Sequence, residues 1–293
     1  MRRSLLLSLF SCVIMHSQEL KVDHVTVAGR DLRAMQRALE SAGLKSEYGG
    51  PHSNHATEMA LTSFPDGSYL ELIAIQPNAD PKAVAAHEWH NFLEGDAGPT
   101  AWAIRPANLS AEVERIRKAG ISASAPRKNG RKRPDGVDLE WETAQIGSGN
   151  GTFFPFLIHD FTPRERRAYP GGHPTTSEWA GISKVVLAVQ DLDAAIQSFQ
   201  RAYRLPAPER QDDAAFGAHL AWFPGTPVVL AAPLSPTSWL HDRLQRFGES
   251  PCAFVVGSTG GLIGAARPAS WFGKPVLWAD SKRLGWHLGF ESK

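Results

Sequence analysis

The feature that most constrains what this chain can fold into is an internal repeat. Val22-Asp23-His24-Val25-Thr26-Val27-Ala28-Gly29-Arg30-Asp31-Leu32 reads as a strand, a turn and a helix start, and Ile182-Ser183-Lys184-Val185-Val186-Leu187-Ala188-Val189-Gln190-Asp191-Leu192 repeats that order. In both copies an Asp stands before Leu, where its carboxylate can accept the free N–H groups of a helix N-terminus. Each helix then keeps an apolar stripe: Leu32, Met35 and Leu39 in one, Leu192, Ala195, Ile196 and Phe199 in the other. Hairpin signals follow, Thr57 to Phe64 and Tyr69 to Ile75 around Pro65-Asp66-Gly67, and His219 to Phe223 and Val228 to Ala232 around Pro224-Gly225. A third copy starts at Thr100 to Ile104, with a helix over Ser110 to Ala119 and strands around Val137 to Ile146 and Thr152 to Ile158. A fourth starts at Cys252 to Val256; its helix is interrupted by Gly260, Gly261 and Gly264, and strands Val276 to Ala279 and Gly285 to Phe290 close the chain. The pattern predicts an α+β fold of four βαβββ units, paired into two curved-sheet domains.

At 293 residues the chain has the length of two compact domains. Residues 161–178, rich in Pro, Gly, Thr and Arg and without periodicity, read as a linker or wrapping segment, so the domains are expected at 19–160 and 179–293. Pro81 to Leu93, with Val84, Ala85, Trp89 and Leu93 at helical spacing, reads as a helix joining the first two units, and Pro236 to Phe247 as its counterpart. Residues 1–18 read as an export signal: Arg2 and Arg3, then an apolar run from Leu5 to Met15 too short for a permanent membrane span. Export to the periplasm or the exterior is the expectation, and Cys12 makes a weak lipoprotein site the alternative. With only Cys12 and Cys252, no intramolecular disulfide is expected after cleavage. Thirty-one basic residues against 30 acidic ones leave no field favouring nucleic acid or an anionic membrane, so partners must be argued from sites.

The order of these elements resembles the glyoxalase-like proteins of the vicinal-oxygen-chelate superfamily. The resemblance rests on His24-Val25-Thr26-Val27 with Asp31-Leu32, the Gly49 to Thr57 loop, and Asp66-Gly67-Ser68-Tyr69-Leu70-Glu71-Leu72-Ile73. Arg131-Lys132-Arg133-Pro134-Asp135-Gly136 with Trp141, and Phe154-Pro155-Phe156-Leu157-Ile158, are similar to the closing part of that domain. It runs from Val22 to Ile158 and more weakly from Ile182 onward. It implies paired βαβββ units forming a cup that holds a divalent metal and a small substrate.

Strand alternation independently turns His24 and Glu71 into such a cup, since Val25, Val27, Leu70 and Leu72 would face the helix. An imidazole and a carboxylate side by side suit Zn, Mn, Fe or Ni, or a hydrogen bond filling a polar spot. The family takes two more ligands from the paired unit, but the corresponding positions here are Ala101 and Pro155 or Phe156, which cannot bind a metal. In the C-terminal half the same counting gives Lys184 and Leu230, so no metal is expected there. For the N-terminal cup two readings stay open. His52 or His55 supplies a third ligand and leaves room for water and substrate, or the cup has lost its metal and binds through polar contacts.

Arg127, Lys128, Arg131, Lys132 and Arg133 crowd a stretch between Pro126 and Pro134, read as a loop. Such a run is ordinarily a solvated turn; the functional alternative points Arg131 or Arg133 into the cup mouth to pair with a carboxylate or enolate oxygen, with Trp141 and His52 beside the substrate. Thr162 to Arg167 reads as a wrapping segment held by local ion pairs, and the other histidines, His87 among them, as surface or core residues. No Ser-His-Asp elbow, Walker loop or dinucleotide fingerprint occurs.

Two functions follow. One is a metal-assisted isomerase, lyase or oxygenase in which Glu71 or Tyr69 handles a proton; the other is a binding protein that sequesters a small molecule. For the C-terminal half, a lid or a homodimer surface is a third role. Sequencing the N-terminus after expression in a bacterial host is expected to show cleavage before Val22, and an intact Met1 on soluble cytoplasmic protein would refute export.

Overall fold

A computed structural model describes residues 20–260 and 269–292. The export signal, and the greater part of the interrupted fourth helix, fall outside the described residues. The first sheet is built from β1 (Val22–Gly29), β2 (Glu47–Pro51), β3 (Thr57–Ser63), β4 (Tyr69–Ile75), β5 (Gly98–Ile104), β6 (Arg127–Lys132), β7 (Asp138–Ala144) and β8 (Phe156–Asp160). The second is built from β9 (Trp179–Ala188), β10 (Glu209–Asp213), β11 (Ala218–Trp222), β12 (Val228–Pro233), β13 (Ser250–Ser258), β14 (Ala269–Trp271), β15 (Lys274–Trp278) and β16 (His287–Ser292). The helices are α1 (Leu32–Ser41), α2 (Pro81–Ala85), α3 (His90–Glu94), α4 (Leu109–Lys118), α5 (Arg164–Ala168), α6 (Leu192–Tyr203), α7 (Trp239–Phe247) and α8 (Ser281–Leu284).

The strand orders are β2-β3-β4-β1-β5-β8-β7-β6 and β10-β11-β12-β9-β13-β16-β15-β14, the same permutation twice. Within a unit the first strand runs parallel to the last, β1 beside β4, because a helix crossover separates them. Units meet through their antiparallel first strands, β1 with β5 and β9 with β13. The two sheets are thus curved, mixed and eight-stranded, as the four-fold repeat predicts. The expected caps form: Asp31, Asn108 and Asp191 accept from the N–H groups of Ala34, Ala111 and Ala194.

Alternation sorts the side chains as expected. Val25, Val27, Leu70 and Leu72 join Leu32 and Leu39 of α1 in the helix-side core, while Ala28, Ile73, Ala101, Ala103, Phe156 and Ile158 cluster on the cup side. In the second sheet, Val185 faces Val228 and Leu187 faces Leu230, whereas Val186 faces Val229. The position equivalent to Glu71, which neighbours Thr26 as Val229 neighbours Val186, is therefore Val229. Leu230, assigned there by counting, belongs to the helix-side core, because the apolar pattern of β12 and not the loop length sets the register.

Three other expectations are corrected. The basic stretch is not a loop: Arg127 to Lys132 is edge strand β6, where exposed cations discourage pairing with another chain. The opposite edges, β2 and β10, escaped sequence reading because Glu-Tyr-Gly-Gly-Pro and Glu-Arg-Gln-Asp-Asp carry no apolar alternation. Pro81 to Leu93 holds two short helices, α2 and α3, in place of one.

The halves are locked together. Arg243 of α7 donates to the carbonyls of Ala97 (2.7 Å), Pro251 (2.6 Å) and Pro99, tying the entries of β5 and β13. The Asp66-Gly67-Ser68 turn sits against β9, where Ser68 Oγ accepts from the N–H of Ile182 (3.1 Å). Gly181 permits this approach: its φ is +150°, and a Cβ there would lie 2.0 Å from Asp66 Oδ2. Gly181→Ala is expected to cost about 2–4 kcal/mol from backbone strain plus overpacking, measured as a fall in the urea midpoint at unchanged slope.

Candidate functional site

A cavity of about 300 Å³ opens on the concave face of the first sheet. His24, Tyr69 and Glu71 from β1 and β4, His52 from the loop after β2, and Arg131 and Trp141 from β6 and β7 all line it. The candidate residues His24, Glu71, Tyr69, His52, Arg131 and Trp141 are therefore brought together. His55 is not: it is exposed, with φ +58°, at the tip of its loop, and does not line the cavity. Nor does Arg133, which bonds Asp135 (2.7 Å) and the carbonyls of Arg166 (2.8 Å), Tyr169 and Pro170, pinning the inter-sheet segment. One residue pair apart in sequence, Arg131 and Arg133 part because Arg133 lies past the end of β6.

At the centre His24 Nε2 lies 3.8 Å from Glu71 Oε2, and His52 Nε2 lies 3.5 Å from Glu71 Oε1. Thr26 donates to Glu71 Oε2 at 3.3 Å. Burial alone would raise the Glu71 pKa, but the His52 hydrogen bond and the charges of His24, His52 and Arg131 outweigh it and hold the carboxyl at about 2. His52 is oriented by Thr57, whose hydroxyl lies 2.8 Å from Nδ1. Tyr69 stacks face to face on His24 at 4.8 Å, and Phe156 meets the same imidazole edge-on at 5.3 Å.

His24 is held from behind by a neighbour that alternation would send to the helix side. Asp23 Oδ1 lies 2.5 Å from His24 Nδ1, with its carboxylate fully buried. The β1–β5 register shifts between Val22 and His24, and this irregularity turns Asp23 toward the cup side. Two guanidiniums from α5 meet it there. Arg167 donates to both Asp23 oxygens (3.1 and 3.0 Å), to both Asp160 oxygens (2.5 and 2.8 Å) and to the Tyr69 hydroxyl (2.6 Å). Arg164 pairs with Asp23 and with Asp160 (3.2 Å). Burial acts to raise the Asp23 pKa, yet Arg167 and Arg164, then His24, keep it well below the usual carboxylate range. Burial and the nearby acids push the Tyr69 phenol above its ordinary value.

Thr162 to Arg167 is thus more than a wrapping segment with local ion pairs, because two of its arginines reach a carboxylate on β1. Sequence reading missed Asp23, Arg164 and Arg167, and also His87, which lines the cavity and accepts from the N–H of Trp89 (3.1 Å). One signal was present: an Asp inside an apolar strand is too costly to bury against a helix, so Val22-Asp23-His24 called for a bulge and a cation.

The donor set was set against the metal that the resemblance implies. At the paired-unit positions stand Ala101 and Phe156; Phe156 is the counterpart of Glu71, since it neighbours Ala103 as Glu71 neighbours Thr26. Among the described residues no three His, Cys, Asp or Glu side chains form a group that could hold a metal ion. The residues present do not fit the family's four-ligand site. In the C-terminal half the His24 position is Lys184, whose ammonium pairs with both oxygens of Glu291 and lies 5.5 Å from the Trp222 ring centre.

No helix among the described residues is long and apolar enough to cross a membrane. The sequence pattern of the glyoxalase-like domain family matches residues 22–203. No curated protein sequence matches the chain. Among solved structures, a hypothetical protein from Staphylococcus aureus is similar over 94% of this chain and 100% of its own, at 13% identity and a TM-score of 0.64. A mutant of 4-hydroxymandelate synthase from Streptomyces coelicolor is similar over 94% of this chain and 93% of its own, at 11% identity and a TM-score of 0.59. Methylmalonyl-CoA epimerase from Mycobacterium tuberculosis matches 40% of this chain and 90% of its own, at 18% identity and a TM-score of 0.34. At these identities the two full-length likenesses speak to the fold alone.

The pairing around Glu71 predicts how the protein behaves in acid. A carboxyl whose folded pKa is depressed stabilises the fold above its unfolded value and loses that contribution as pH falls toward the folded one. For Glu71 the window runs from 4.5 down to about 2. Glu71→Gln is expected to flatten the loss of stability across that window, followed by urea unfolding at successive pH values; an unchanged slope would refute the pairing.

Proposed function

Because the chain belongs to the glyoxalase-like domain family, within the vicinal-oxygen-chelate superfamily, we propose that its N-terminal cup binds a small oxygenated organic molecule and moves a proton on it. The observation that carries this reading is the Asp23–His24 pair. Asp23 is held ionised by two arginines, so the proton between them resides on His24 Nδ1, and the Nε2 lone pair faces Glu71 in the cavity. An imidazole oriented by a buried carboxylate, with its other nitrogen free, is the arrangement a general base requires.

Glu71, a candidate proton carrier by sequence, stands ionised beside the imidazole, its carboxyl held at about 2. Its charge favours the imidazolium that forms when Nε2 takes up a proton. Tyr69 serves as a stacking wall for His24 and a hydroxyl for Arg167. A proton abstracted next to a carbonyl leaves an enolate, to which the His52 side chain, lining the same cavity, can donate a hydrogen bond. No step is assigned to a metal, since Ala101 and Phe156 contribute no donors.

Those same two positions favour a second reading, binding without turnover, and one experiment separates the two. Incubation of 2-oxobutyrate and hydroxyacetone with the protein in D2O, followed by NMR, is expected to show catalysed loss of C–H signal next to the carbonyl. This exchange should persist with excess chelator and fall by about 100-fold or more in His24→Gln. Binding of either compound with no exchange above the protein-free rate would overturn the proton-transfer reading in favour of sequestration.

A further inference from the structure

Among the described residues, one cation that lines the cup has no carboxylate within ion-pair distance, although it feels the charge of Glu71 across the cavity. Elsewhere most buried and half-buried cations are matched: Arg164 and Arg167 by Asp23 and Asp160, Arg115 by Glu112, Arg133 by Asp135, and Lys184 by Glu291, while half-buried Arg105 donates to the Asp66 carbonyl. Arg243, without a carboxylate, is saturated by three carbonyls. Arg131 differs. Its one hydrogen bond among the described residues runs from a terminal nitrogen to the Gly49 carbonyl at 3.0 Å, and no carboxylate lies within ion-pair distance. The side chain is half-buried and lines the cavity that His24 and Glu71 line from β1 and β4 and His52 from the loop after β2. A desolvated guanidinium with free donors on its edge is poised for a planar two-oxygen acceptor.

From this we infer that the cup's ligand carries a single carboxylate, that Arg131 anchors it, and that the rest of the ligand is a short apolar group. The inference rests on the reading of this cup as the ligand site and names the class of molecule it takes. The charge of the head group follows from what else faces the cavity. Glu71 is an anion in the same space, so a dianionic phosphate or phosphonate would bring a second, unmatched negative charge into a site with one free cation. A monocarboxylate matches that cation one for one. Across the cup Met59, Leu61 and Ile73 of β3 and β4, and beside β6 Trp141, Phe156 and Ile158 of β7 and β8, supply apolar lining. The volume of about 300 Å³ is at the small end of ligand pockets, which limits the tail to a few carbons. Anchored on β6, the carboxylate would leave the adjoining carbons directed across the cup toward β1 and β4, where His24 Nε2 and Glu71 stand.

The test uses matched probes that differ only in head group: butyrate, butyramide and propylphosphonate, with acetate and hexanoate to vary the tail. Binding to the full chain is measured by calorimetry and ligand-observed NMR for the wild type, Arg131→Met, Arg131→Lys and Lys132→Met, with thermal melts to confirm folding. Butyrate is expected to bind at least about tenfold more tightly than the amide or the phosphonate. Arg131→Met should erase that preference and Arg131→Lys keep part of it, since an ammonium retains the charge without the fork. Lys132→Met, an exposed neighbour on the same strand that pairs with Asp138 outside the cavity, should leave butyrate affinity within about threefold. Equal affinity for amide and carboxylate, an undiminished preference in Arg131→Met, or no binding by any carboxylate of the series would overturn the inference. Failure of the proton-transfer reading is distinct: isotope exchange would be absent while the Arg131-dependent preference remained.

Discussion

The buried carboxylate of Asp23 is the point at which the parts of the N-terminal half meet. It stands on the first strand, yet its partners come from the adjoining His24 and from Arg164 and Arg167 of the segment between the sheets, and Asp160 at the end of β8 shares both arginines. Tyr69 of β4 is joined through its hydroxyl to Arg167 and through its ring to His24. Four buried or nearly buried charges are mutually compensated, and removal of one would leave its neighbours uncompensated, typically at a cost of about 3–5 kcal/mol. The network therefore does two things at once: it closes the cup from behind, and it fixes the ring of the imidazole that faces the cavity.

The consequence for electrostatics is a division of labour. Behind His24, two arginines and two aspartates balance. In front, Glu71 is attended by two imidazoles, which leaves its charge available for stabilising a neighbouring cation. Arg131 faces the same space without a carboxylate of its own. A cup with a fixed anion on one side and a fixed cation on the other is electrostatically polarised.

The C-terminal half has the same topology, and its described residues carry no counterpart of the Asp23–His24–Glu71 arrangement. Its cup side is filled by packed aromatics: Phe216 lies 5.3, 5.0 and 5.1 Å from Trp239, Trp271 and Trp278, and Trp239 stacks on His287 at 4.2 Å. Where the first half has His24 and Glu71, this one has Lys184, neutralised by Glu291, and Val229. Its contribution to the site is indirect. Through Arg243, and through Gly181 against the Asp66–Ser68 turn, it buttresses strands β5 and β4 that carry the cup.

By itself the sequence determined the repeat, the capped helices, the faces of the inner strands and the shared side of His24, Tyr69 and Glu71. All of these follow from local periodicity, since an apolar residue at every second position of a strand settles where the intervening side chains point. It did not reveal the edge strands, which lack a buried face and hence a pattern, nor the choice of Val229 over Leu230, which is a matter of register. Asp23, Arg164 and Arg167 stayed hidden for a related reason. A bulge breaks the period that makes a strand legible, and an ion pair between positions 23 and 167 leaves no trace in the local order of either segment. Only the closing of the chain on itself could decide that a carboxylate expected under the helices would turn over to hold the histidine beside it.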